Sequence, residues 1–364
     1  MYTVGLLIDQ LEVRDFRSYH NFTLEPDSCL TVVVGPNAAG KTNLIEAVQL
    51  LTEADSFRKP SWNEVVREGS EGARLRLEAS GDSRHLEISL DVSAGGRRVY
   101  KVNGKQRKVL SQVAGILPCV SFTPDDLRIV KDSAERRRNT LDSLGVQLSP
   151  SYAQLRLEYE RVVRQRNAVL KEGLIAEELG PWTEQLITLG GSLITHRERL
   201  FNRLSSAMST IYQSLSGGKI MEARYLKSWM RDSIAGDGDN EDMMRRHLAE
   251  KSGVENARRS TVSGPHRDEI VFTVEGREAR AYGSQGQQRT IALAWKLAEV
   301  SVITDISTQR PVLLLDDVMS ELDEQRRHLL AEFAGSVAQT IMTTTNLGYF
   351  EESLLSRAKV VQLT

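Results

Sequence analysis

Eight residues in the first part of the chain carry a pattern with specific chemistry. From Gly35 to Thr42 they read Gly-Pro-Asn-Ala-Ala-Gly-Lys-Thr, which fits a phosphate-binding loop. In such a loop, backbone N–H groups turn toward a polyphosphate, the lysine reaches its terminal phosphates, and the threonine hydroxyl ligates Mg²⁺. We therefore predict a nucleoside triphosphate site; the alternative is a glycine-rich turn with a surface lysine. The predicted binding residues here are Gly35, Pro36, Asn37, Ala38, Ala39, Gly40, Lys41, Thr42 and Asn43.

The segments on either side of this loop have the order that phosphate binding requires. The apolar, β-branched run Leu30–Val34 predicts a buried strand before the loop. After the loop, a helix is predicted over 43–51, with one apolar face made by Leu44, Ile45, Val48 and Leu51. The positive end of this helix would face the phosphates.

A pair of acids follows another apolar run near the end of the chain. Val312–Leu315 predicts a buried strand that leads into Asp316 and Asp317. An acid at a strand end in a phosphate-loop protein holds Mg²⁺ directly or through water, so Asp316 and Thr42 are the predicted metal residues. Asp317 is placed to orient or deprotonate an attacking water, and with Lys41 it is a predicted catalytic residue. The alternative for either acid alone is a helix N-cap.

A third segment precedes a helix that is predicted over 288–302. In it, Ser284 can present a hydroxyl, Gly286 leaves the backbone open to close approach, and Gln287 follows. A helix N-terminus attracts anions, so these residues predict a second phosphate-binding element. The alternative is a simple capping pattern. Its position upstream of Asp316 favours the phosphate-binding interpretation.

The three segments together resemble the ATPase heads of the ABC/SMC type. Five stretches make the resemblance narrower, to the RecF family of bacterial recombination mediators: Phe16–Tyr19, Gly35–Glu46, Ser56–Arg58, Gly264–Asp268 and Gly283–Arg289. The resemblance implies an α/β fold: an ABC/SMC-type P-loop ATPase head, with a mixed sheet around the phosphate-loop helix and an inserted helical arm.

The resemblance also implies roles for the nucleotide residues. Lys41 and Thr42 match the Walker A lysine and the Mg²⁺-binding hydroxyl, and Asp316 matches the Walker B metal ligand. Asp317 stands where many ABC ATPases have a catalytic glutamate. Because aspartate is shorter by one methylene, slow hydrolysis is expected.

Of the other motifs of the superfamily, two have a match in this sequence and two have no clear match. Ser284, Gly286 and Gln287 match the signature motif, which contacts the γ-phosphate held by a second subunit, and Ser320–Asp323 matches the D-loop. The switch histidine has no clear match, and Thr343–Thr345 occupies its expected place. A Q-loop glutamine is not clear either.

The function that the resemblance implies is ATP-dependent DNA binding in recombinational repair and replication. Two copies would dimerise around ATP and Mg²⁺, clasp duplex DNA near single-strand gaps, and help RecO and RecR to load recombinase, with slow hydrolysis resetting the dimer. Three alternatives are open: a small-molecule P-loop kinase, an ABC transporter subunit, and a nucleotide-gated DNA scaffold that does not hydrolyse ATP. The kinase has no use for a signature motif, and the transporter needs a membrane partner.

Composition fits an ordinary soluble protein. The chain has 364 residues, 40% of them hydrophobic and 26% charged, with a formal net charge of -2. No apolar run approaches a bilayer span, and Met1–Asp9 resembles a first strand more than a signal peptide. We therefore expect a cytoplasmic protein with no membrane contact. Cys29 and Cys119 are expected to be buried free thiols.

The middle of the chain predicts an inserted arm. Apolar spacing predicts helices over 152–171 and from Trp182 to Leu215, separated by a turn at Gly173–Pro181 and packed as an antiparallel pair. A helix of about 30 residues spans only ~45 Å, so the arm would be short. A polar loop is predicted at Ala235–Asn240. We predict an ATPase head over 1–135 and 260–364 and an arm over 136–259.

Two cationic segments are candidates for contact with duplex DNA. One is the predicted hairpin around Asn103–Gly104, with Arg97, Arg98, Lys101, Lys105, Arg107 and Lys108. The other is Arg136–Arg138. The alternatives are solvated charged surfaces for both segments, and pairing with acids of the arm for the second.

Overall fold

The computed structural model describes residues 5–54, 56–58, 60–81, 84–108, 112–173, 176–232, 238–337 and 339–364. Its strands are β1 (Leu7–Phe16), β2 (Tyr19–Leu24), β3 (Leu30–Val34), β4 (Gly72–Gly81), β5 (Arg84–Ser93), β6 (Arg98–Val102), β7 (Lys105–Arg107), β8 (Cys119–Phe122), β9 (Met221–Leu226), β10 (Glu269–Val274), β11 (Arg277–Glu278), β12 (Val312–Asp316), β13 (Thr340–Thr344) and β14 (Lys359–Gln362). Its helices are α1 (Lys41–Thr52), α2 (Ala134–Leu148), α3 (Pro150–Glu172), α4 (Ala176–Leu215), α5 (Asn240–Glu250), α6 (Ser252–Arg258), α7 (Ala279–Tyr282), α8 (Gln285–Ser307), α9 (Glu324–Val337) and α10 (Glu352–Leu355). Two compact units result, a first unit (Met1–Arg128 and Ala292–Thr364) and a second unit (Ile129–Ile291).

A parallel sheet in the first unit contains the strands that flank the predicted nucleotide residues. Its strand order is β14-β3-β13-β12-β8, and each neighbouring pair is parallel. Strands β3, β12 and β13 are almost continuously apolar or β-branched and buried, as strands covered on both faces require. The strands predicted from the apolar runs at 30–34 and 312–315 are confirmed.

An antiparallel sheet in the same unit has the order β2-β1-β4-β5-β6-β7. Helix α1 packs against β12 and β13 of the parallel sheet and against β4 and β5 of the antiparallel sheet. The predicted helix face is buried between them, and the Tyr100 hydroxyl donates to the Leu50 carbonyl at 3.1 Å. At the β6–β7 turn, Asn103 and Gly104 both have positive φ, as a tight hairpin requires. The mixed α/β fold class is confirmed.

The second unit combines a small sheet with packed helices. The sheet has the antiparallel order β11-β10-β9, and α4 packs on α3, α5 and β9. A buried ion pair crosses this core: Arg197 of α4 donates to both carboxylate oxygens of Asp142 at 2.8 and 2.7 Å. Arg166 is paired in the same way with Glu255.

The helices of the second unit differ from those predicted for the arm in their length and in where they begin. Helix α4 has 40 residues, about 60 Å at 1.5 Å per residue, and it begins at Ala176 instead of Trp182. The left-handed Gly173 ends α3 as predicted, while residues 174–175 lie outside the described residues. Pro181 does not end a turn. It lies in the second turn of α4, where proline lacks the N–H that would bond the carbonyl four residues earlier, and the helix continues through it.

The boundaries of the two units also differ from the predicted boundaries of head and arm. The second unit starts at Ile129 and ends at Ile291, so β10, β11 and α7 belong to it although we predicted them in the head. The assignment of an ATPase head and an arm to these units stays a prediction. Of the predicted loop Ala235–Asn240, residues 235–237 lie outside the described residues, and Asn240 begins α5. Residues 1–4 of the predicted first strand lie outside them too, and β1 begins at Leu7.

The two cysteines are free, and they differ in exposure. Cys119 is buried, and burial raises the pKa of its thiol well above its ordinary value. Cys29 is exposed, so the expectation that it is buried was wrong; it directly precedes β3, where the chain is still at the surface. No helix among the described residues has the length and apolar character needed to cross a membrane.

Candidate nucleotide-binding site

Three neighbouring parallel strands bring the predicted nucleotide residues together. The phosphate loop follows β3, Asp316 ends β12, and β13 lies between these two strands. Thr343 of β13 is in register with Val33 on one side and with Asp316 on the other. Ligands of such α/β sheets bind at the carboxyl ends of the strands, where all these residues lie.

The phosphate loop leaves backbone donors for an anion. Ala38 and Gly40 have positive φ values of 67° and 94°. Helix α1 begins at Lys41 without a side-chain cap and without an acid in its first turn, so its first N–H groups and its positive end remain for a ligand. The buried Lys41 ammonium donates to the carbonyls of Gly35 at 2.9 Å and Pro36 at 2.7 Å.

The predicted metal residues are in contact. The Thr42 hydroxyl donates to Asp316 Oδ1 at 3.0 Å, and the Thr343 hydroxyl donates to the same oxygen at 2.8 Å. Burial raises the pKa of the Asp316 carboxyl, and the two hydroxyl donors oppose this rise. Adjacent hydroxyl and carboxylate oxygens are the donors that Mg²⁺ prefers, so Thr42 and Asp316 fit this ion. No cluster of three or more His, Cys, Asp or Glu among the described residues offers a separate metal site.

Asp317 lies next to this pair in a strained backbone conformation. Its φ is 51°, and its N–H donates to the Thr343 hydroxyl at 3.0 Å and the Thr343 carbonyl at 3.2 Å. Within the described part of the chain, its buried Oδ1 has no hydrogen-bond partner. Burial raises the pKa of its carboxyl, Lys41 opposes the rise, and Asp316 adds to it. A carboxyl with these properties suits a proton acceptor.

A buried carboxylate fixes the first turns of α1, and the sequence patterns gave it no role. Glu46 accepts two hydrogen bonds from Arg17, at 3.0 and 2.8 Å, and one each from Arg58 at 3.0 Å and Ser56 at 2.7 Å. Arg58 also donates to the Asn43 side chain at 2.8 Å. Two stretches on which the family resemblance rested, Phe16–Tyr19 and Ser56–Arg58, therefore meet at the phosphate-loop helix.

The predicted second phosphate-binding segment lies in the second unit. The Ser284 hydroxyl accepts from the Gln287 N–H at 3.2 Å, and the Gln287 side chain accepts from the Ser284 N–H at 2.8 Å. This is a reciprocal cap of α8, so the capping interpretation holds. It does not exclude the other interpretation, because the Ser284 hydroxyl acts as an acceptor here and its own O–H can donate to an anion.

The predicted D-loop begins beside Asp317. The Ser320 hydroxyl donates to the Asp317 carbonyl at 2.8 Å, and Asp323 caps α9 by accepting from the Arg326 N–H at 3.0 Å. Ser320 is exposed.

The two cationic segments differ in accessibility. In the hairpin, Lys105 and Lys108 are exposed, and exposed Arg98 stacks over Trp62 at 4.4 Å from the ring centroid. Arg137, in contrast, is buried and donates to Glu269 at 2.9 Å. Arg138 donates to the Asp268 carbonyl at 2.5 Å. The interpretation of Arg136–Arg138 as a DNA-contacting patch is therefore wrong for Arg137, which pairs with an acid of the same unit.

Comparisons with known proteins place this geometry in a family. A family model described as RecF/RecN/SMC N terminal domain matches residues 7–363. The DNA replication and repair protein RecF of Cyanothece sp. (strain PCC 7425 / ATCC 29141) is 36% identical over 368 residues, covering 98% of this chain and 96% of that protein. The protein of the same name from Gloeobacter violaceus is 36% identical over 365 residues, covering 98% and 97%.

Solved structures of RecF proteins also match this chain. A structure of the recombination mediator protein RecF with ATPrS, in the RecFOR pathway, is 30% identical with a TM-score of 0.88, covering 96% of this chain and 95% of that chain. The corresponding structure with ATP has a TM-score of 0.87, covering 96% and 94%. An Smc head bound to the C-winged helix domain of ScpA is 18% identical, covering 93% and 90%, and its TM-score of 0.54 shows a shared fold alone.

Proposed function

The chain belongs to the RecF family of DNA replication and repair proteins, and on that premise we propose that it is an ATP-dependent DNA-binding switch of recombinational repair. In this proposal, ATP with Mg²⁺ makes two copies dimerise, and the dimer clasps duplex DNA near single-strand gaps. The observation that supports it most is the contact of Thr42 and Thr343 with Asp316 beside the phosphate loop.

ATP binds at the loop between Gly35 and Asn43. The N–H groups at the start of α1 bind phosphate oxygens, and Lys41 exchanges its two carbonyl acceptors for the terminal phosphates. When bound, Mg²⁺ neutralises charge on the phosphates and is held by Thr42 and Asp316. RecF relatives have been solved with ATP and ATPrS, which supports this assignment.

The dimer forms because each nucleotide contacts both copies. Ser284, Gly286 and Gln287 of one copy bind the γ-phosphate held by the other, with the Ser284 O–H and the N-terminus of α8 as donors. ATP therefore has a higher affinity for the closed dimer than for separate copies, and only such a difference can shift the equilibrium.

Sedimentation velocity tests the switch. ATP with Mg²⁺ should convert the unmodified protein from monomer to dimer, and duplex DNA should strengthen the dimer. Lys41→Ala should remain monomeric under both conditions because the phosphates lose their cation. Thermal unfolding shows whether this variant is folded. A folded Lys41→Ala that still dimerises with ATP would contradict the role of the loop.

DNA binds through the backbone of the duplex, and the exposed cations of the hairpin are its proposed contacts. Affinity falls as salt rises, and each phosphate contact that is lost makes the negative slope of log affinity against log salt shallower by about 0.9. Lys105→Glu should make this slope shallower by about 0.9, the amount expected for one contact. It should also weaken binding to all duplex sequences equally. The matched control is the charge reversal Lys219→Glu, because Lys219 is an exposed lysine of the second unit. Equal slopes for both variants would exclude the hairpin.

RecO and RecR are the proposed partners in loading recombinase. The support is family membership and the RecFOR pathway in which the related structures were placed. Pull-down of purified RecO and RecR by the ATP-bound protein on gapped DNA tests this part.

Slow hydrolysis by Asp317 resets the dimer. Its unpartnered buried oxygen supports a role in accepting a proton from water. The same observation keeps a second function open, a DNA scaffold that does not hydrolyse ATP, because a short side chain on a strained backbone fits a poor base as well. Steady-state phosphate release with duplex DNA separates the two: turnover that is lost in Asp317→Asn supports the switch, and no turnover in either protein supports the scaffold.

A further inference from the structure

Tyr19, the first residue of β2, has a hydroxyl for which the fold provides no partner. Tyr19 is only 9% exposed, and its hydroxyl oxygen is buried without a hydrogen bond to any described residue. Its ring packs against Phe22, with the ring centroids 5.2 Å apart. Since a phenylalanine would pack in the same way without burying an unpaired polar atom, the packing of the ring does not account for the hydroxyl.

The position of this hydroxyl is informative. A Cβ built on Gly40 would lie 2.8 Å from the Tyr19 oxygen and 2.9 Å from the Ser18 hydroxyl oxygen. Gly40 is the loop glycine that immediately precedes Lys41, and its positive φ turns the backbone into α1. Ser18 and Tyr19 thus place two hydroxyl oxygens directly beside the phosphate loop at Gly40.

The turn is also fixed in place. The Asn43 side chain donates to the Ser18 hydroxyl at 2.9 Å, and Arg17 is held by Glu46 of α1. Tyr19 therefore keeps its position relative to the loop without help from its own hydroxyl. Burial raises the pKa of this phenol above its ordinary value, so the group is a neutral O–H donor at neutral pH.

We propose that the Tyr19 hydroxyl donates a hydrogen bond to a phosphate oxygen of the nucleotide held by the loop at Gly35–Thr42. The inference rests on the proposed nucleotide binding and adds a contact that no part of the phosphate-loop pattern contains. A buried, unpaired donor next to the loop is a cost in the protein alone, and this cost disappears when an anionic acceptor arrives. The β1–β2 turn then forms a second wall of the polyphosphate site.

The test compares two Tyr→Phe variants. Tyr19→Phe removes the unpaired hydroxyl, and Tyr100→Phe removes a buried hydroxyl of the same unit that is already bonded to the Leu50 carbonyl. For each protein, thermal unfolding is measured without nucleotide, and calorimetry gives the Kd for ATP and for inorganic tripolyphosphate, both with Mg²⁺. Tripolyphosphate has no base or ribose, so it reports on phosphate contacts alone.

The two variants should differ in both Tm and Kd. Tyr19→Phe should keep or raise the Tm of the protein without nucleotide, and it should weaken ATP and tripolyphosphate by about tenfold each, as the loss of a hydrogen bond to a charged group predicts. Tyr100→Phe should lower the Tm and leave both Kd values unchanged.

Three outcomes would overturn the proposal. Unchanged Kd values in Tyr19→Phe would mean that the hydroxyl is satisfied otherwise, for example by a buried water. Weakening of ATP without weakening of tripolyphosphate would place the hydroxyl at the base or ribose. If the unmodified protein binds neither ligand, the proposed function fails with it, whereas the first two outcomes leave that function intact.

Discussion

Replacing Thr343 by valine tests whether this buried threonine holds the acidic pair of the nucleotide site. Its hydroxyl donates to Asp316 at 2.8 Å and accepts from the Asp317 N–H at 3.0 Å. Valine keeps the β-branched shape and removes both bonds. Because the Asp317 N–H keeps the Thr343 carbonyl at 3.2 Å, the main loss is one hydrogen bond to a buried carboxylate. The free energy of unfolding should fall by about 2 kcal/mol.

The pH dependence of this loss has a definite sign. Burial raises the pKa of Asp316, and the Thr343 hydroxyl is the largest of the influences that lower it. Valine therefore raises the pKa further above that of the unfolded chain. A carboxyl of this kind loses stability as pH rises through its folded pKa, so Thr343→Val should cost more at about pH 8 than at about pH 5. Mg²⁺ requires the ionised carboxylate, so its affinity in the variant should fall most steeply at the lower pH.

Urea unfolding at both pH values and the Mg²⁺ dependence of ATP binding are the assays. Thr344→Val is the matched control, because this neighbouring buried hydroxyl bonds Asn346, donating at 3.1 Å and accepting at 3.2 Å, and it does not touch the acids. The control should lose stability to the same extent at both pH values and keep its Mg²⁺ dependence. If the two variants behave alike, Thr343 has no special role at Asp316.

Three further predictions follow from single contacts. Asp317→Asn should keep or raise stability, because asparagine tolerates a left-handed backbone and removes a buried charge, while any steady-state phosphate release falls at least about 100-fold; a large loss of stability would contradict this. Ser284→Asp should unfold like the unmodified protein, since aspartate is a good N-cap, yet it should lose ATP-dependent dimerisation in sedimentation because its charge repels phosphate; dimerisation that survives would exclude the proposed contact. Burial lowers the pKa of His266 to about 3, and its ring bonds the Tyr159 hydroxyl at 2.6 Å. Since a lowered histidine pKa removes stability as pH falls below about 6.5, the unmodified protein should lose about 1–2 kcal/mol more than His266→Gln between about pH 8 and pH 5 in urea unfolding, with exposed His85→Gln as control; an equal loss would refute it.

Local sequence was sufficient for the nucleotide elements because each is a contiguous segment with its own periodicity. The strand predicted at Leu30–Val34 and the apolar face of α1 needed no information from the rest of the chain. Thr343 was different. Its role depends on β13 lying between β3 and β12, a strand order that no local pattern contains. Its position among three consecutive threonines therefore indicated only where a switch residue was expected.

Charged residues with buried partners were the harder part to predict. Arg137 has the sequence surroundings of a surface cation, but it is buried with the distant Glu269 and with three backbone carbonyls, those of Ile129, Val130 and Asp132, as its acceptors. The Asp142–Arg197 pair joins two helices in the same way. The sequence contains only a partial indication that Glu46 is buried: it is an acid between apolar residues of α1. Its two arginine partners lie in segments that periodicity treats as loops.

The existing partners of each charged group determine where ATP can act as a switch. Lys41 already bonds two carbonyls and Asp316 already bonds two hydroxyls, so nucleotide binding exchanges their hydrogen bonds instead of adding new ones. Such an exchange occurs equally in a single copy and in a dimer, and it cannot favour one over the other. The Ser284 hydroxyl uses its oxygen to cap α8 and has an O–H left to donate. In the proposed dimer, this O–H and the N-terminus of α8 gain an acceptor only when a second copy presents a γ-phosphate. Changes in the loop should therefore act on nucleotide affinity, and changes at Ser284 on closure at saturating ATP.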